Sequence, residues 1–235
     1  MSADTVWCLF RVHSSDTVNV KTLFNKAIEQ SQIVEKISEF NKNRTKESDD
    51  LQFLNRDIIN HFIPEAFVDK QQDIQAFDWD NLHDAYHLFF PKAFVDMFDN
   101  LFKSNPPAIS ESMLEAHLDF IITNRVGATE ILWGGLGWER GNRLPGYLGN
   151  MFILPEDIPH SLTKIEKIFN EVEDKQFFER VRTIGARGNV NEDVAKNIRS
   201  LFLSALSKAL KRGDGFLALS YPHMGSIPFT EPESV

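Results

Sequence analysis

The clearest alternation of apolar and polar positions lies between residues 189 and 221. Asn189 or Asn191 can cap the start of a helix there, and Gly213 can end it in the left-handed conformation. Six apolar residues recur at three- and four-residue steps, which predicts one buried helix face: Val194, Ile198, Leu201, Phe202, Ala205 and Ala209. The apolar run 216–219 then predicts a short strand that is covered on both faces. We therefore expect this helix and this strand to organise the fold.

The rest of the chain shows the same two periodicities in shorter segments. Strands are predicted at residues 5–12 and 151–154. Seven glycines interrupt residues 125–150, which predicts a loop with one short strand at 131–133. Helices are predicted at residues 20–40, 51–62, 78–90, 91–102, 110–121, 155–169 and 176–184. Together these elements predict a helix-rich α+β domain over residues 1–221, in which a small sheet pairs the first and last strands, and a proline-rich tail at 222–235.

Composition narrows the classes of partner. The chain is 42% apolar and 25% charged, which is typical of globular proteins. Its net charge of −9 argues against nucleic acid or an anionic membrane as the main partner, whereas a basic protein is compatible. Cys8, the only cysteine, lies in an apolar run, so we expect a buried thiol and no internal disulfide. With no signal-peptide pattern and no apolar run near the roughly 20 residues that span a bilayer, we expect a cytoplasmic protein.

The placed elements resemble a known bacterial family. Residues 79–83 read Trp-Asp-Asn-Leu-His, residues 147–158 contain Leu-Pro-Glu-Asp, and Gly-Asp-Gly at 213–215 precedes the last strand. With the N-terminal strand and helix, these stretches are similar to the YfbM-like proteins, a domain whose function is unassigned. The resemblance implies an α+β fold in one domain and implies no reaction. Residues 41–76 and 91–128 would then be insertions relative to the family.

One predicted helix carries a group that could bind metal. Asp80, His83, Asp84 and His87 share one side of the helix at 78–90, and two imidazoles one turn apart can bind zinc. The pattern lacks the glutamate of the HExxH motif, and no downstream motif supplies a third ligand. We therefore expect no metal and no cofactor, with His83 and the neighbouring Trp79 anchoring their helix to the core.

The glycine-rich segment 133–149 is the second candidate. It matches neither the phosphate-binding loop nor the dinucleotide fingerprint. Its arginines and tryptophans could still line a pocket, because arginine holds anions and tryptophan stacks. The candidate ligand-binding residues are Trp79, Asp80, His83, Trp138, Arg140 and Arg143. The favoured alternative is a tight connection whose tryptophans cover the core. The carboxylates at 171–174 are interpreted as a solvated helix end, and no catalytic residue is predicted.

Two functions of different classes follow. The first is a non-enzymatic, immunity-like or regulatory protein that binds another protein of basic character. The second is an enzyme or small-ligand-binding protein that uses Trp79, His83 and the glycine-rich segment. The acidic balance and the scarcity of catalytic motifs favour the first.

Overall fold

The computed structural model describes residues 4–31, 92–102, 118–124, 127–141, 143–146, 149–185, 190 and 192–221. Four strands lie in these ranges: β1 (Asp4–Val12), β2 (Leu118–Asn124), β3 (Met151–Ile153) and β4 (Gly215–Tyr221). The helices are α1 (Thr17–Ser31), α2 (Lys92–Phe102), α3 (Ala128–Leu136), α4 (Trp138–Gly141), α5 (Ile158–Asn170), α6 (Asp174–Gly185) and α7 (Glu192–Arg212). A 3-10 turn, Pro155–Asp157, leads into α5.

The strands form one antiparallel sheet in the order β2-β1-β4-β3. Cys8 in β1 pairs with Phe120 of β2 on one side and with Leu219 of β4 on the other. The predicted pairing of the first and last strands is therefore confirmed, and it occupies the centre of the sheet. The fold class is α+β, as the sequence predicts.

Helix α7 packs its apolar face on this sheet. Ile198 and Phe202 are fully buried, as predicted. The Phe202 ring stacks on Trp7 of β1 with centroids 5.0 Å apart and meets Phe216 of β4 edge-on at 5.8 Å. Leu201, predicted on the buried face, is instead 41% exposed. Ile198 and Phe202 point to the core. Leu201 directly precedes Phe202 and is therefore turned by about 100° from it around the helix axis, which places it at the solvent side.

Two predicted elements are wrong. Residues 118–121 were expected to end a helix, but they begin strand β2, whose run of Ile121, Ile122 and Thr123 is typical of strands and pairs with β1. Residues 128–136 were expected to be a loop with a short strand, but they form helix α3. Every residue of α3 is buried, so tertiary packing outweighs the poor helix propensity of its two glycines. Its start is fixed by Glu130, whose Oε2 accepts a hydrogen bond from the Gly127 amide at 2.7 Å.

The other predicted elements that lie in described ranges are confirmed, with small shifts of their ends. Helix α1 begins three residues earlier than expected, at Thr17, and is described as far as Ser31. Its Phe24 packs on Phe94 of α2 with ring centroids 5.2 Å apart. Helix α2 and strand β2, both within the expected insertion 91–128, thus belong to the core. The predicted helices 51–62 and 78–90, the expected insertion 41–76 and the tail 222–235 lie outside the described residues. No helix in the described ranges is both long and apolar enough to cross a membrane.

Candidate functional site

Only part of the predicted ligand site falls in the described structure. Trp79, Asp80 and His83 lie outside it, as do Asp84 and His87. The backbone of Trp138 begins helix α4, but the position of its side chain is not described. Arg140 and Arg143 are described, and they define the site that follows.

Helix α3 brings the glycine-rich segment against helix α6. At Gly135 a Cβ atom would overlap the ring of Phe177 in α6, so glycine permits the close approach of the two helices. Farther along the segment, Gly149 has φ +84°, and its carbonyl accepts a 2.8 Å hydrogen bond from Nε1 of Trp7 in the central strand. These contacts hold the segment close to the core, but its residues 133–136 and 138–141 are helical and do not form an irregular connection.

Arg140 and Arg143 converge on one carboxylate, that of Glu171. Arg143 donates from Nη1 to Oε2 and from Nη2 to Oε1, both at 2.7 Å, and Arg140 Nε donates to Oε2 at 3.3 Å. The side chains of Arg140 and Arg143 are 15% and 17% exposed, and that of Glu171 is 31% exposed. The three side chains, called the Arg–Glu cluster below, tie helix α4 and the residues after it to the end of helix α5. Glu171 lies at an exposed helix end, as predicted, and it is also the shared partner of the two arginines, which the sequence did not indicate.

The cluster keeps Glu171 ionised. Its hydrogen bonds to Arg143 lower its pKa below the ordinary value; burial opposes this, and the charges of Arg143 and Arg140 reinforce the lowering. A carboxylate held in this way is a poor general acid or base near neutral pH.

One donor of the cluster is left over. Nη1 of Arg140 is buried and has no hydrogen-bond partner within the described part of the chain. Such an atom in a folded protein calls for an explanation, commonly a bound water or ion. The neighbouring Arg180 of α6 adds positive charge: burial and then the charge of Arg140 lower its pKa. Its Nη1 donates at 2.7 Å to the carbonyl of Leu136, at the end of α3 where the helix dipole favours a cation.

A fourth arginine does similar structural work nearby. Arg199 of α7 donates from Nη1 to the carbonyls of Phe169 and Val172, each at 3.0 Å, and from Nη2 to Asp174. Its guanidinium carbon lies 4.7 Å from the centroid of the Phe177 ring. Burial lowers its pKa. Asp174 is thus also an ion-pair partner, although its side chain is 78% exposed, as expected for a solvated helix end.

Sequence reasoning missed Glu171, Arg180 and Arg199 as members of this region. Glu171 is 28 residues from Arg143, and Arg180 is 44 residues from Leu136, so no local spacing links the partners. The sequence offered one weak signal for Arg180 and Arg199, because each is an arginine on a helix that also has an apolar face.

The remaining candidate chemistry is structural where it is described. Cys8 is buried, as predicted, and burial raises the pKa of its thiol, so the thiolate is disfavoured. Within the described ranges, no three His, Cys, Asp or Glu side chains are grouped so as to hold a metal ion. Ser220 is buried in β4, and its amide donates at 3.0 Å to Oδ1 of Asn150.

Comparison with protein-family models, with curated proteins and with solved structures gave no match. The resemblance to the YfbM-like proteins thus stays a prediction.

Proposed function

We propose that this protein is a non-enzymatic binding protein, immunity-like or regulatory in role, whose partner is another protein with a basic surface. The observation that carries the proposal is the distribution of charge. Among the residues whose side chains the structure describes, sixteen are acidic and sixteen are lysine or arginine, so their charges balance. These residues are called the framework below. Residues 32–91 hold twelve acidic residues against six lysines and arginines, which concentrates the acidic excess in one segment. A segment rich in one sign of charge attracts and orients a partner of the opposite sign.

Several charged side chains of the framework are engaged in contacts within the fold, which is consistent with a binding role for the acidic segment. Arg140 and Arg143 engage Glu171, Arg199 binds carbonyls and Asp174, and Lys208 pairs with Asp119 of β2 at 3.0 Å. These contacts join helices to one another and to the sheet. In the sequence, residues 32–91 follow α1 and precede α2.

Affinity capture from a cytoplasmic extract of the source organism tests the proposal. The test variant changes five carboxylates of the acidic segment to amides: Asp49, Asp50, Asp57, Asp69 and Asp73 to Asn. A matched control makes the same change in net charge on exposed framework positions: Glu29, Glu156, Glu166, Glu179 and Glu192 to Gln. Wild type and control should retain a basic protein that the test variant loses. The interaction between the purified components should weaken as salt rises, because exposed charges are screened over about 8–10 Å at physiological ionic strength.

Two results would contradict this function. Equal loss of the partner in test and control variants would show that net charge, not the acidic segment, governs binding. A captured partner without basic character, held equally by all three proteins, would exclude charge recognition altogether.

A second candidate function is the binding of a small anionic ligand at the glycine-rich segment. The observation that favours it is the buried Nη1 of Arg140, which has no partner among the described residues and lies beside a second arginine. Titration of the purified protein with simple anions tests it.

A further inference from the structure

The Arg–Glu cluster has the donor arrangement of an oxyanion site. Two guanidinium groups approach the same pair of oxygen atoms, and the arginine fork matches the geometry of carboxylate and phosphate groups. The group now between them is the chain's own Glu171, which is nearly one-third exposed, so solvent reaches the carboxylate.

Glu171 does not accept a hydrogen bond from every donor of Arg140 and Arg143. Oε2 of Glu171 already accepts from both arginines, while Oε1 accepts from Arg143. Nη1 of Arg140, on the edge of the guanidinium opposite to Nε–H, is buried and has no acceptor among the residues that the structure describes. A phosphate group offers three acceptor oxygens in a tetrahedral arrangement, one more than a carboxylate, and carries more negative charge. Arg180, close enough for its charge to interact with that of Arg140, adds a third cation to the surroundings.

We infer that the Arg140–Arg143 pair is a binding site for the phosphate group of a small ligand, and that Glu171 is an internal anion which the ligand displaces. When Glu171 moves out, Nε of Arg140 and the two Nη donors of Arg143 turn to the ligand, whose greater negative charge strengthens its attraction to the arginine pair. The end of helix α5, where Glu171 lies, is released from α4 in the same step. This inference rests on the second proposed function and is independent of the protein-binding proposal.

Displacement of an internal competitor has a measurable consequence. The apparent affinity of the wild-type protein is reduced by the fraction of molecules in which Glu171 occupies the site. Glu171→Gln removes the competing charge and keeps the size of the side chain. We expect inorganic phosphate to bind Glu171→Gln at least about tenfold more tightly than wild type. Glu173→Gln, which removes the same charge from an exposed residue of the same turn, is the matched control and should bind as wild type does.

The titration is followed by NMR of the arginine Nε–Hε signals, with inorganic phosphate as the probe and succinate as a second probe. The signals of Arg140 and Arg143 should shift saturably with phosphate, while that of Arg199, bound to backbone carbonyls, should not. Arg143→Gln should abolish the shift at Arg140. Far-UV circular dichroism verifies that each variant is folded. In wild type the same shifts should appear at higher phosphate concentration, so the measurement does not depend on any variant folding.

The outcomes separate the alternatives. No saturable shift in folded Glu171→Gln or in wild type would show that the cluster is only a structural ion pair. Equal affinity for phosphate and succinate would contradict the assignment to phosphate. Equal strengthening in Glu171→Gln and Glu173→Gln would show a general effect of charge. Each of these results leaves the capture of a basic protein untouched, so the two functions fail separately.

Discussion

Gly135→Ala tests the packing that places the candidate site. In most helices this exchange stabilises, because alanine has the higher helix propensity by about 1 kcal/mol. Here a Cβ atom at residue 135 would lie well inside 3.0 Å of three carbon atoms of the Phe177 ring. Phe177 is fully buried between α3 and α7, where Arg199 also contacts its ring. The ring therefore cannot swing into solvent, and one of the two helices must move.

Gly135→Ala should destabilise the protein, because the cost of overpacking exceeds the gain in helix propensity. Overpacking a well-packed core costs about 1–3 kcal/mol, and the overlap with three ring atoms favours the upper end. Subtracting the propensity gain of about 1 kcal/mol leaves a net loss of about 2 kcal/mol. For a domain of this size, that loss lowers the thermal midpoint by about 4–8 °C.

Thermal and urea unfolding of four proteins measure the effect: wild type, Gly135→Ala, Phe177→Leu and the double variant. Because Leu lacks the outer ring atoms, Gly135→Ala should cost less in the Phe177→Leu background, which gives a coupling energy of about 1 kcal/mol or more. If Gly135→Ala is as stable as wild type, helix α3 does not press on α6 in this way. Strictly additive effects would also refute the contact.

Three further predictions follow from the same structure. Ile198→Asp should unfold the protein, because it buries an unpaired carboxylate at a cost of several kcal/mol, whereas Leu201→Asp on the exposed side should be tolerated; denaturant midpoints compare the two. The pKa of Glu171 is lower in the folded protein than in the unfolded chain, so its stabilisation is full above the unfolded value, about 4.3, and is lost as pH falls through the folded value. The stability difference between wild type and Glu171→Gln should thus be present near neutral pH and vanish in acid, and a pH-independent difference would contradict this cause. Elemental analysis of dialysed protein should find no stoichiometric zinc, iron or manganese, and one ion per chain that is lost on changing His83 or His87 would overturn the prediction.

The framework elements were largely predictable from sequence because their signals are local. Strand β1, helices α2, α5, α6 and α7, and strand β4 each show their own periodicity of apolar residues. Helix α3 was missed because its two central glycines indicate a loop, and only the surrounding core compensates for their poor propensity. Strand β2 was missed because spacings in 110–121 fit a helix, while pairing with β1 decides the strand.

Only some residues of the candidate site could be named from the sequence. The sequence marked Arg140 and Arg143 as candidate ligand-binding residues, because arginine holds anions, but it favoured a structural connection at this segment. It did not identify the anion. Glu171 reaches both arginines only because α5 ends beside α4, an arrangement set by contacts far apart in the chain. The other predicted members, Trp79, Asp80 and His83, lie outside the described residues and stay predictions.

The sequence by itself determined the fold class, the pairing of the first and last strands, and the burial of Ile198, Phe202 and Cys8. Each of these depends on the amount and period of apolar surface, which a short stretch of chain already specifies. Tertiary structure alone decided that α3 is a helix, that Leu201 faces solvent, and that Glu171 lies between two arginines. Those outcomes depend on which residues far apart in the chain come into contact. The close approach of two helices at Gly135 and the pairing of Glu171 with the arginines arise only in the packed core, so no local sequence pattern predicts them.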